Sequence, residues 1–186
     1  SQDGLSLTDA DPALSAASCQ HIVDMLTAMK RHPAEGGTEV MELDRYWHPR
    51  MTWYGPAGIG TGRGQNGFRN WHQIPFLNGM PDRGQYVGDI TYHFFGEGNY
   101  AAVTGWPDML QTHTHDGWLG LPPTGKKLEM RSLDFWRMED GKIRENWVTV
   151  DLLHVYDQLG LDVFARMREF NKARHGMANY SPLLAD

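Results

Sequence analysis

The sequence predicts an α+β fold in which a curved antiparallel β-sheet wraps around helices. Apolar residues recur at helical spacing in the first part of the chain, whereas short β-type segments separated by turn residues begin at Tyr86. A further helical segment follows from Asp162. This order of elements, with helices first, then consecutive antiparallel strands and then a last helix, is typical of α+β rather than α/β proteins.

The N-terminal part is predicted to be mainly helical. The predicted elements are a helix at 8–32, a short helix from Thr38 that stops before Pro49, a strand at 50–55 and a helix at about 65–77. Candidate caps of the first helix are Thr8, Asp9 and Asp11, and the segment 32–37 ends it. The glycine-rich segment 55–67 lacks the G-x-x-x-x-G-K-[ST] pattern of a phosphate loop. We interpret it as a turning connection.

Two strands near the C-terminal end meet at a hairpin. Asp140-Gly141 is a strong two-residue turn signal, so Glu139 should oppose Lys142. A regular register then places one set of side chains on the same face: Met130, Ser132, Asp134, Trp136, Glu145, Trp147, Thr149 and Asp151. The opposite face would carry Leu133, Phe135, Val148 and Val150. Because the first face mixes tryptophan and methionine with carboxylates, we expect it to line a semi-enclosed cavity.

Asp151 is the leading candidate for a catalytic base. A carboxylate in a largely apolar cleft has its charged form disfavoured, which raises its basicity toward the range useful for proton abstraction. The alternative is that Asp151 is a helix cap or turn residue. Asp134 is a second candidate, and its alternative role is to bond the Trp147 indole or a neighbouring arginine.

Histidines are candidate hydrogen-bonding or acid–base groups at the pocket rim. His113 and His115 share a strand face, but no further residue completes a familiar metal site, so no metal is expected. His93 lies on a predicted strand and His72 on the third helix. Each of them is also compatible with a half-buried structural histidine.

Composition excludes several classes of partner. The 186 residues include 40% hydrophobic residues, which suits one domain. Seventeen Lys and Arg against 23 Asp and Glu give a net charge of -6 without a basic cluster, so nucleic acid and anionic membranes are not expected. The sequence has a single cysteine, Cys19, and shows no visible signal peptide and no apolar run of about 20 residues. These observations predict a cytoplasmic protein.

Two segments near the C-terminal end form a specific combined pattern, "THTHDGWLGLPPTGKK" and "FWRMEDGKIRENWVTVDLLHVYDQLG". With them, the chain resembles the SnoaL-like polyketide cyclase (ester cyclase) family. The resemblance covers roughly residues 38–161 and is strongest from 112 to 160. It implies the nuclear-transport-factor-2-like fold, a cone-shaped sheet around a deep pocket. The predicted organisation is a single domain with an N-terminal helical region at 8–37, a core at 38–161 and a C-terminal helix and tail at 162–186.

The resemblance also implies an activity. Members close a polyketide ester by cofactor-free intramolecular aldol chemistry, in which an aspartate removes and returns a proton. The residue at the end of the Glu-x-Trp-x-x-x-Asp pattern is Asp151, with Asp134 and His113 as partners. Predicted binding residues are Trp147, Trp136, Tyr54, His93, His72 and Met130. The implied partners are a small hydrophobic or aromatic carbonyl ligand and a second copy of the chain, meeting through the outer sheet surface.

The chain departs from the family pattern at two places. Asp134 stands three residues before Arg137, where relatives often have a histidine, and Trp53 and Tyr54 occupy a strand that often carries one. Two alternatives to a cyclase or isomerase therefore stay open. One is a non-catalytic small-molecule binding protein of the same fold. The other is an epoxide or ester hydrolase with an Asp-Arg-Asp set, although Arg131 and Asp134 should face opposite sides of their strand.

Overall fold

The computed structural model describes residues 11–31, 38–85, 90–115 and 118–178. The chain divides into two compact units, residues 1–151 and 152–186. The single domain expected from the sequence stays a prediction. The predicted caps Thr8 and Asp9 and the predicted helix end at 32–37 lie outside the described residues.

The N-terminal helix forms where cap and periodicity predict it. Helix α1 (Pro12–Met29) begins after Asp11, whose Oδ1 accepts a hydrogen bond of 2.9 Å from the Ala13 amide. Ile22, Met25 and Ala28 recur at helical spacing and are fully buried, so this face of α1 belongs to the core of the first unit.

The middle of the chain alternates short helices and strands. The elements are a 3₁₀ turn (Thr38–Met41), α2 (Leu43–Tyr46), β1 (Trp47–Tyr54), β2 (Thr61–Arg63), α3 (Gly64–Phe68), a π-helical turn (Arg69–Gln73) and α4 (Ile74–Gly79). Strand β1 begins earlier than predicted, at Trp47. Because a residue before proline disfavours the helical region, His48 before Pro49 favours extended backbone there.

In the described parts of the chain, six strands form one sheet. The remaining strands are β3 (His93–Glu97), β4 (Tyr100–Thr112), β5 (Lys127–Glu139) and β6 (Lys142–Val150), and the sheet order is β2-β1-β6-β5-β4-β3. Strands β1 and β6 are parallel, whereas the other neighbours are antiparallel. The α+β class is confirmed, but the sheet is mixed rather than purely antiparallel. The parallel pair joins strands that are remote in sequence, which local turn signals cannot predict.

The hairpin turn is confirmed, whereas the predicted register beyond it is wrong. Glu139 pairs with Lys142 and Met138 with Ile143, as expected, but Arg137 then pairs with Glu145. One extra residue, Arg144, is accommodated as a β-bulge. Every later residue of β6 therefore faces the opposite side from the one predicted.

The bulge decides which side chains share the inner face. Asp134 pairs with Val148 and Trp136 with Asn146, instead of with Trp147 and Glu145. Val148 and Val150 were expected on the outer surface, but both line an internal cavity. The outer face of β6 carries Glu145, Trp147 and Thr149.

A second irregularity interrupts β4. Gly105 pairs with Ser132 and Met109 with Met130, so three residues of β4 oppose the single Arg131. Asp108 lies in this bulge. A Cβ on Gly105 would overlap the Thr91 carbonyl oxygen and lie 2.7 Å from the Asp108 Cβ, so the folded-back strand requires glycine at this position.

Residues 152–178 of the second unit form two helices, α5 (Leu152–Leu159) and α6 (Val163–Ala178). Asp162 caps α6 as predicted, since its Oδ1 accepts a 2.8 Å hydrogen bond from the Ala165 amide. Helix α6 continues past Gly176, the predicted stop, and α5 was not predicted. In the described part of the chain, no helix has the length and apolar character needed to cross a membrane.

Candidate functional site

A cavity of about 110 Å³ lies against the inner face of the sheet. Most of its wall is aromatic, aliphatic or methionine side chains, and its seven large aromatic members are Trp47, Trp53, Phe68, Phe76, Tyr92, Trp118 and Trp136. The charged side chains that line it are Arg83, Asp108 and Asp134. An apolar cavity with a few convergent polar groups is the usual form of a small-molecule site.

The two carboxyl groups are joined by a serine. The Ser132 hydroxyl lies within hydrogen-bond distance of Asp108 Oδ2 and 3.0 Å from Asp134 Oδ2, and the Ser132 amide donates to Asp108 Oδ1 at 3.1 Å. A hydroxyl carries one proton and can donate to only one carboxylate. The second contact is favourable when the other carboxyl is protonated and donates to the serine oxygen. The geometry therefore favours one proton shared between Asp108 and Asp134.

Burial shifts both carboxyl groups in the same direction. Loss of solvation raises the pKa of Asp134 to about 7, against the opposing effect of hydrogen bonds from Ser132 and Asn146. Desolvation also raises the pKa of Asp108, which is 3% exposed. Asp134 keeps part of its surface accessible, as a group at a cavity wall should. It can both accept and donate a proton near neutral pH.

Asn146 fixes the other oxygen of Asp134. Its side-chain amide lies 3.4 Å from Asp134 Oδ1 and donates to the Phe135 carbonyl oxygen at 3.1 Å. Because Asn146 is 3% exposed and sits opposite Trp136, the β-bulge that sets the register also brings this amide to the carboxylate.

Arg83 supplies the positive charge of the site. Its guanidinium lies 5.3 Å from the centroid of the Phe76 ring and contacts Met109 Sδ at 3.9 Å. Burial lowers the pKa of Arg83, but arginine stays charged in proteins. Its charge opposes the rise in the pKa of both Asp108 and Asp134.

His72 forms a neutral wall. Its ring stacks on Trp53 with centroids 3.9 Å apart, and desolvation with the nearby charge of Arg83 lowers the pKa of His72 to about 3. The imidazole therefore carries no charge at neutral pH and contributes surface and a hydrogen-bonding group, not a titrating acid or base.

The structure places Asp151 outside this cavity. Its amide donates to the Arg131 carbonyl at 2.9 Å, and its carboxylate lies 3.9 Å from Arg131 Nη1, with 37% of the side chain exposed. Arg131 itself lies against the exposed Trp106 ring, 5.0 Å from its centroid. The expectation that Asp151 faces an enclosed apolar hollow is wrong because the register shift turns it outward.

Two of the predicted binding residues lie on the outer face. Trp147 and Tyr54 stack with centroids 5.7 Å apart and an interplanar angle of 7°, and each is 37% exposed. Neither lines the cavity. The neighbouring Trp53 does so instead, because alternate residues of β1 point to opposite sides of the sheet.

The other predicted residues divide into two groups. Trp136, His72 and Met130 line the cavity together with Asp134. His113 is fully buried but not at the cavity wall, and its Nδ1 lies 3.2 Å from the Thr124 hydroxyl. His93 is exposed at the start of β3 and does not line the cavity either.

The sequence pattern placed Ser132 on the same face as Asp134, but it did not identify Asp108, Arg83 and Asn146 as polar groups of the same site. Asp108 gave a weak signal, since it is a carboxylate between Val103 and the apolar pair Met109-Leu110. Arg83 follows α4 in a turn and has no periodicity that would assign it to a cavity. Only the three-dimensional pairing of β4 with β5 brings Asp108 to Ser132.

One group of metal-ligand side chains occurs in the described residues, at His48, Glu139 and Asp140. Glu139 already pairs with Arg137 at 3.0 Å and with Arg144 at 3.6 Å. These two guanidinium groups supply the positive charge that a cation would bring, so the cluster has a structural explanation.

Comparisons with known proteins identify the fold. A family model described as SnoaL-like polyketide cyclase matches residues 37–159. No curated protein sequence matches at a significant level. Among solved structures, a protein assigned provisionally as a SnoaL-like polyketide cyclase from Jannaschia sp. CCS1 shares 16% identity with a TM-score of 0.63, over 80% of this chain and 94% of its own.

Two further structures have the same fold. An NTF2-like protein from Burkholderia xenovorans LB400 shares 16% identity with a TM-score of 0.55, over 77% of this chain and 96% of its own. TerC, co-crystallised with polyporic acid, shares 16% identity with a TM-score of 0.56, over 77% of this chain and 98% of its own. At these identities the similarity establishes the NTF2-like fold. Since the family model covers more than half of the 186 residues, the chain belongs to the SnoaL-like polyketide cyclase family.

Proposed function

We propose that the protein is an acid–base enzyme that removes a proton from the carbon next to a carbonyl group of a small, largely apolar compound. Asp134 is the base. The observation that carries this proposal is a carboxyl group with a pKa of about 7 in an aromatic cavity, linked through Ser132 to a second carboxyl group. An intramolecular aldol cyclisation or an isomerisation uses this step.

The reaction begins when the Asp134 carboxylate takes the proton of the C–H bond. The electron pair of that bond moves into the carbonyl group and forms an enolate. In a cyclisation, the enolate carbon attacks a second carbonyl carbon of the same molecule, and protonated Asp134 returns its proton to the resulting alkoxide. In an isomerisation, the proton returns to a different carbon. Either cycle restores the starting enzyme.

The walls offer donors for the developing oxyanion. The indole N–H groups of Trp47, Trp118 and Trp136 are buried and have no hydrogen-bond partner among the described residues. All three residues line the cavity. Donors in a site of low polarity stabilise an enolate oxygen more strongly than they would in water. We propose that at least one of these indoles binds the substrate carbonyl.

The pKa of Asp134 suits this task. A general base is most effective when its pKa lies near the working pH, because it is then largely deprotonated and still strongly basic. An ordinary aspartate, with a pKa of about 3.9, would be too weak a base by roughly three orders of magnitude in proton affinity. In the reactive state the proton shared through Ser132 resides on Asp108, which leaves Asp134 as the carboxylate that accepts the substrate proton.

The predicted catalytic roles of Asp151 and His113 are untested, and the geometry supports Asp134 in their place. The small organic ligand is supported by the cavity and by TerC, which was crystallised with polyporic acid. A homodimer and a cytoplasmic location remain predictions from the sequence, and sedimentation analysis of the purified chain would test the first.

Epoxide hydrolysis is a second candidate because one observation favours it. Arg83, Asp108 and Asp134 line the same cavity, which provides the Asp-Arg-Asp set that Arg131 cannot complete. However, no carboxylate of the described residues lies within ion-pair distance of Arg83, and a serine rather than the arginine joins the two aspartates. Formation of diol from limonene oxide, with ¹⁸O taken from labelled water, would establish this activity.

The test uses hydrogen–deuterium exchange of 2-tetralone in deuterated buffer, followed by proton NMR. Wild-type protein should accelerate exchange at the carbon next to the carbonyl. Asp134→Asn should lower the enzymatic rate by about 10²-fold or more, as expected for loss of a general base. Asp151→Asn is the matched control and should retain the rate within about twofold, since its carboxylate lies outside the cavity.

The alternative outcomes are distinct. Loss of exchange in Asp151→Asn with full activity in Asp134→Asn would return the catalytic role to the residue favoured by sequence. Saturable binding of 2-tetralone without any exchange in the wild-type protein would contradict the proposed catalysis and favour the non-catalytic ligand-binding protein.

A further inference from the structure

A second chamber of about 290 Å³ adjoins the cavity. The two spaces share wall residues, among them Met29, Arg83, Tyr92, Asp108 and Met109. The second chamber, which we name the outer chamber, adds Lys30, Gly84, Ile90 and Leu110 to its wall. The shared residues show that the two spaces are adjacent.

Two cationic side chains of the described residues, Lys30 and Arg83, line the outer chamber. The Lys30 ammonium lies 5.0 Å from the centroid of the Tyr92 ring. Arg83 lines both spaces, and its Nε is buried without a hydrogen-bond partner among the described residues. No carboxylate of the described residues lies within ion-pair distance of the Arg83 guanidinium, which contacts the Met109 thioether and the Phe76 ring. A buried guanidinium satisfied by a thioether and a ring has unused donors.

The charges of the two spaces do not cancel. Their described charged residues are Lys30, Arg83, Asp108 and Asp134. With one proton shared across Ser132, the two aspartates carry a single negative charge, against two positive charges. His72 is neutral and Tyr92 is uncharged, because desolvation raises the pKa of its phenol. The remaining charge of +1 is the charge that one bound monoanion would balance.

We propose that the outer chamber binds a carboxylate of the substrate through Arg83 and Lys30, so that the carbonyl end of the same molecule reaches Asp134. This inference rests on the proposed function and narrows its substrate class to carbonyl compounds that carry a carboxylic acid. The carboxylate stays in the outer chamber through the reaction, and no bond to it forms or breaks.

A carboxylate fits better than a phosphate. A phosphate monoester brings a charge of about -1.5 to -2 at neutral pH, which exceeds the +1 available and adds repulsion from Asp108. A guanidinium also matches the planar carboxylate with two parallel N–H donors. The Tyr92 hydroxyl, which stays protonated, is a further donor at the junction of the two spaces.

The experiment compares 4-acetylbenzoate with its methyl ester, methyl 4-acetylbenzoate, which lacks the negative charge and carries one additional methyl group. Their dissociation constants are measured by isothermal titration calorimetry at pH 7. Wild-type protein should bind the acid about tenfold or more tightly than the ester, the range expected for hydrogen bonds to a charged group. Arg83→Met should remove this preference, and Lys30→Met should reduce it.

Two controls separate charge from folding. Lys30 is exposed, so Lys30→Met is not expected to disturb the fold even where Arg83→Met does. Arg63→Met removes an exposed arginine that lines neither space, and it should leave the preference unchanged. Inorganic phosphate should compete only weakly with 4-acetylbenzoate.

The inference fails if the acid and the ester bind equally to the wild-type protein, or if Lys30→Met and a folded Arg83→Met retain the full preference. Strong competition of inorganic phosphate with 4-acetylbenzoate would contradict the choice of a carboxylate. These results are independent of the exchange of 2-tetralone, which carries no carboxylate. Exchange without a preference for the acid would overturn this inference alone, whereas a preference without exchange would overturn the proposed catalysis.

Discussion

The two faces of the β5–β6 hairpin carry the same residue types in opposite environments. The inner face has Asp134 with Trp136, which is 2% exposed, and the outer side has Asp151 with Trp147, which is 37% exposed. Asp134 contacts a serine and lies near a second carboxyl group, whereas Asp151 lies near an arginine. Residue type and spacing therefore do not identify a catalytic carboxylate. The face of the sheet on which the carboxylate lies distinguishes Asp134 from Asp151.

The largest difference between the faces should appear in folding stability. Trp136→Ala removes a buried indole, and we expect it to lower the free energy of unfolding by about 3 kcal/mol or more. Phe135→Ala, one residue away on the outer face, removes a ring that is already 46% exposed and should cost about 1 kcal/mol. Urea denaturation followed by circular dichroism measures both. Equal losses would show that the two faces are not differently buried.

The pH dependence of stability separates the faces next. The folded pKa of Asp134 is about 7, against about 3.9 in an unfolded chain. Between these values the folded state holds a proton that the unfolded state releases, so stability decreases as the pH rises through this window. Asp134→Asn lacks this penalty, and its stability relative to wild type should rise by about 2 to 4 kcal/mol from pH 4 to pH 8.

The control for this pH series is Phe135→Ala, which removes no titratable group and should follow the wild-type pH dependence with a constant offset. A difference between Asp134→Asn and wild type that stays constant from pH 4 to pH 8 would show that the carboxyl group has an ordinary pKa.

Much of the fold could be predicted from local chemistry. The Asp11 cap, the Asp162 cap and the Asp140-Gly141 turn each depend on a few neighbouring residues, and all three are observed. Asp134 and Trp136 were placed together on one face because alternation within a single strand needs no partner.

The site as a whole could not be predicted. The bulge at Arg144 has no signature in the sequence, yet it reverses the facing of every residue from Glu145 onward. Asp108 reaches Ser132 through an irregular stretch of β4 after Gly105. Arg83 reaches the cavity from a turn after α4, through long-range packing.

A smaller effect is expected from the serine between the two carboxyl groups. The Ser132 hydrogen bond lowers the pKa of Asp134, against the rise that desolvation causes. The rate of 2-tetralone exchange should increase with pH as Asp134 loses its proton, with a midpoint at about pH 7. Ser132→Ala should therefore move this midpoint to higher pH. Thr149→Ala removes an outer-face hydroxyl that donates to the Leu133 carbonyl at 3.1 Å and serves as the control. A midpoint that is unmoved or lowered in Ser132→Ala contradicts the bridge.

The smallest effect should follow removal of the bulge residue. Deleting Arg144 leaves Glu145 opposite Arg137 and so preserves the observed register without the extra residue. We expect the exchange rate to change by less than about threefold and stability by about 1 kcal/mol. A folded deletion variant that loses exchange would show that the bulge itself, rather than the register it permits, is needed at the site.

The central claim is that the Asp134 carboxyl group, within an apolar cavity and next to Asp108, titrates near neutral pH. Carbon-13 NMR of aspartate side-chain carboxyl groups measures this directly, with the Asp134 resonance assigned by its absence from Asp134→Asn. We predict a resonance with a midpoint at about pH 7. Titration of that resonance at the ordinary aspartate value of about 3.9 would contradict the claim and remove the basis for Asp134 as the catalytic base.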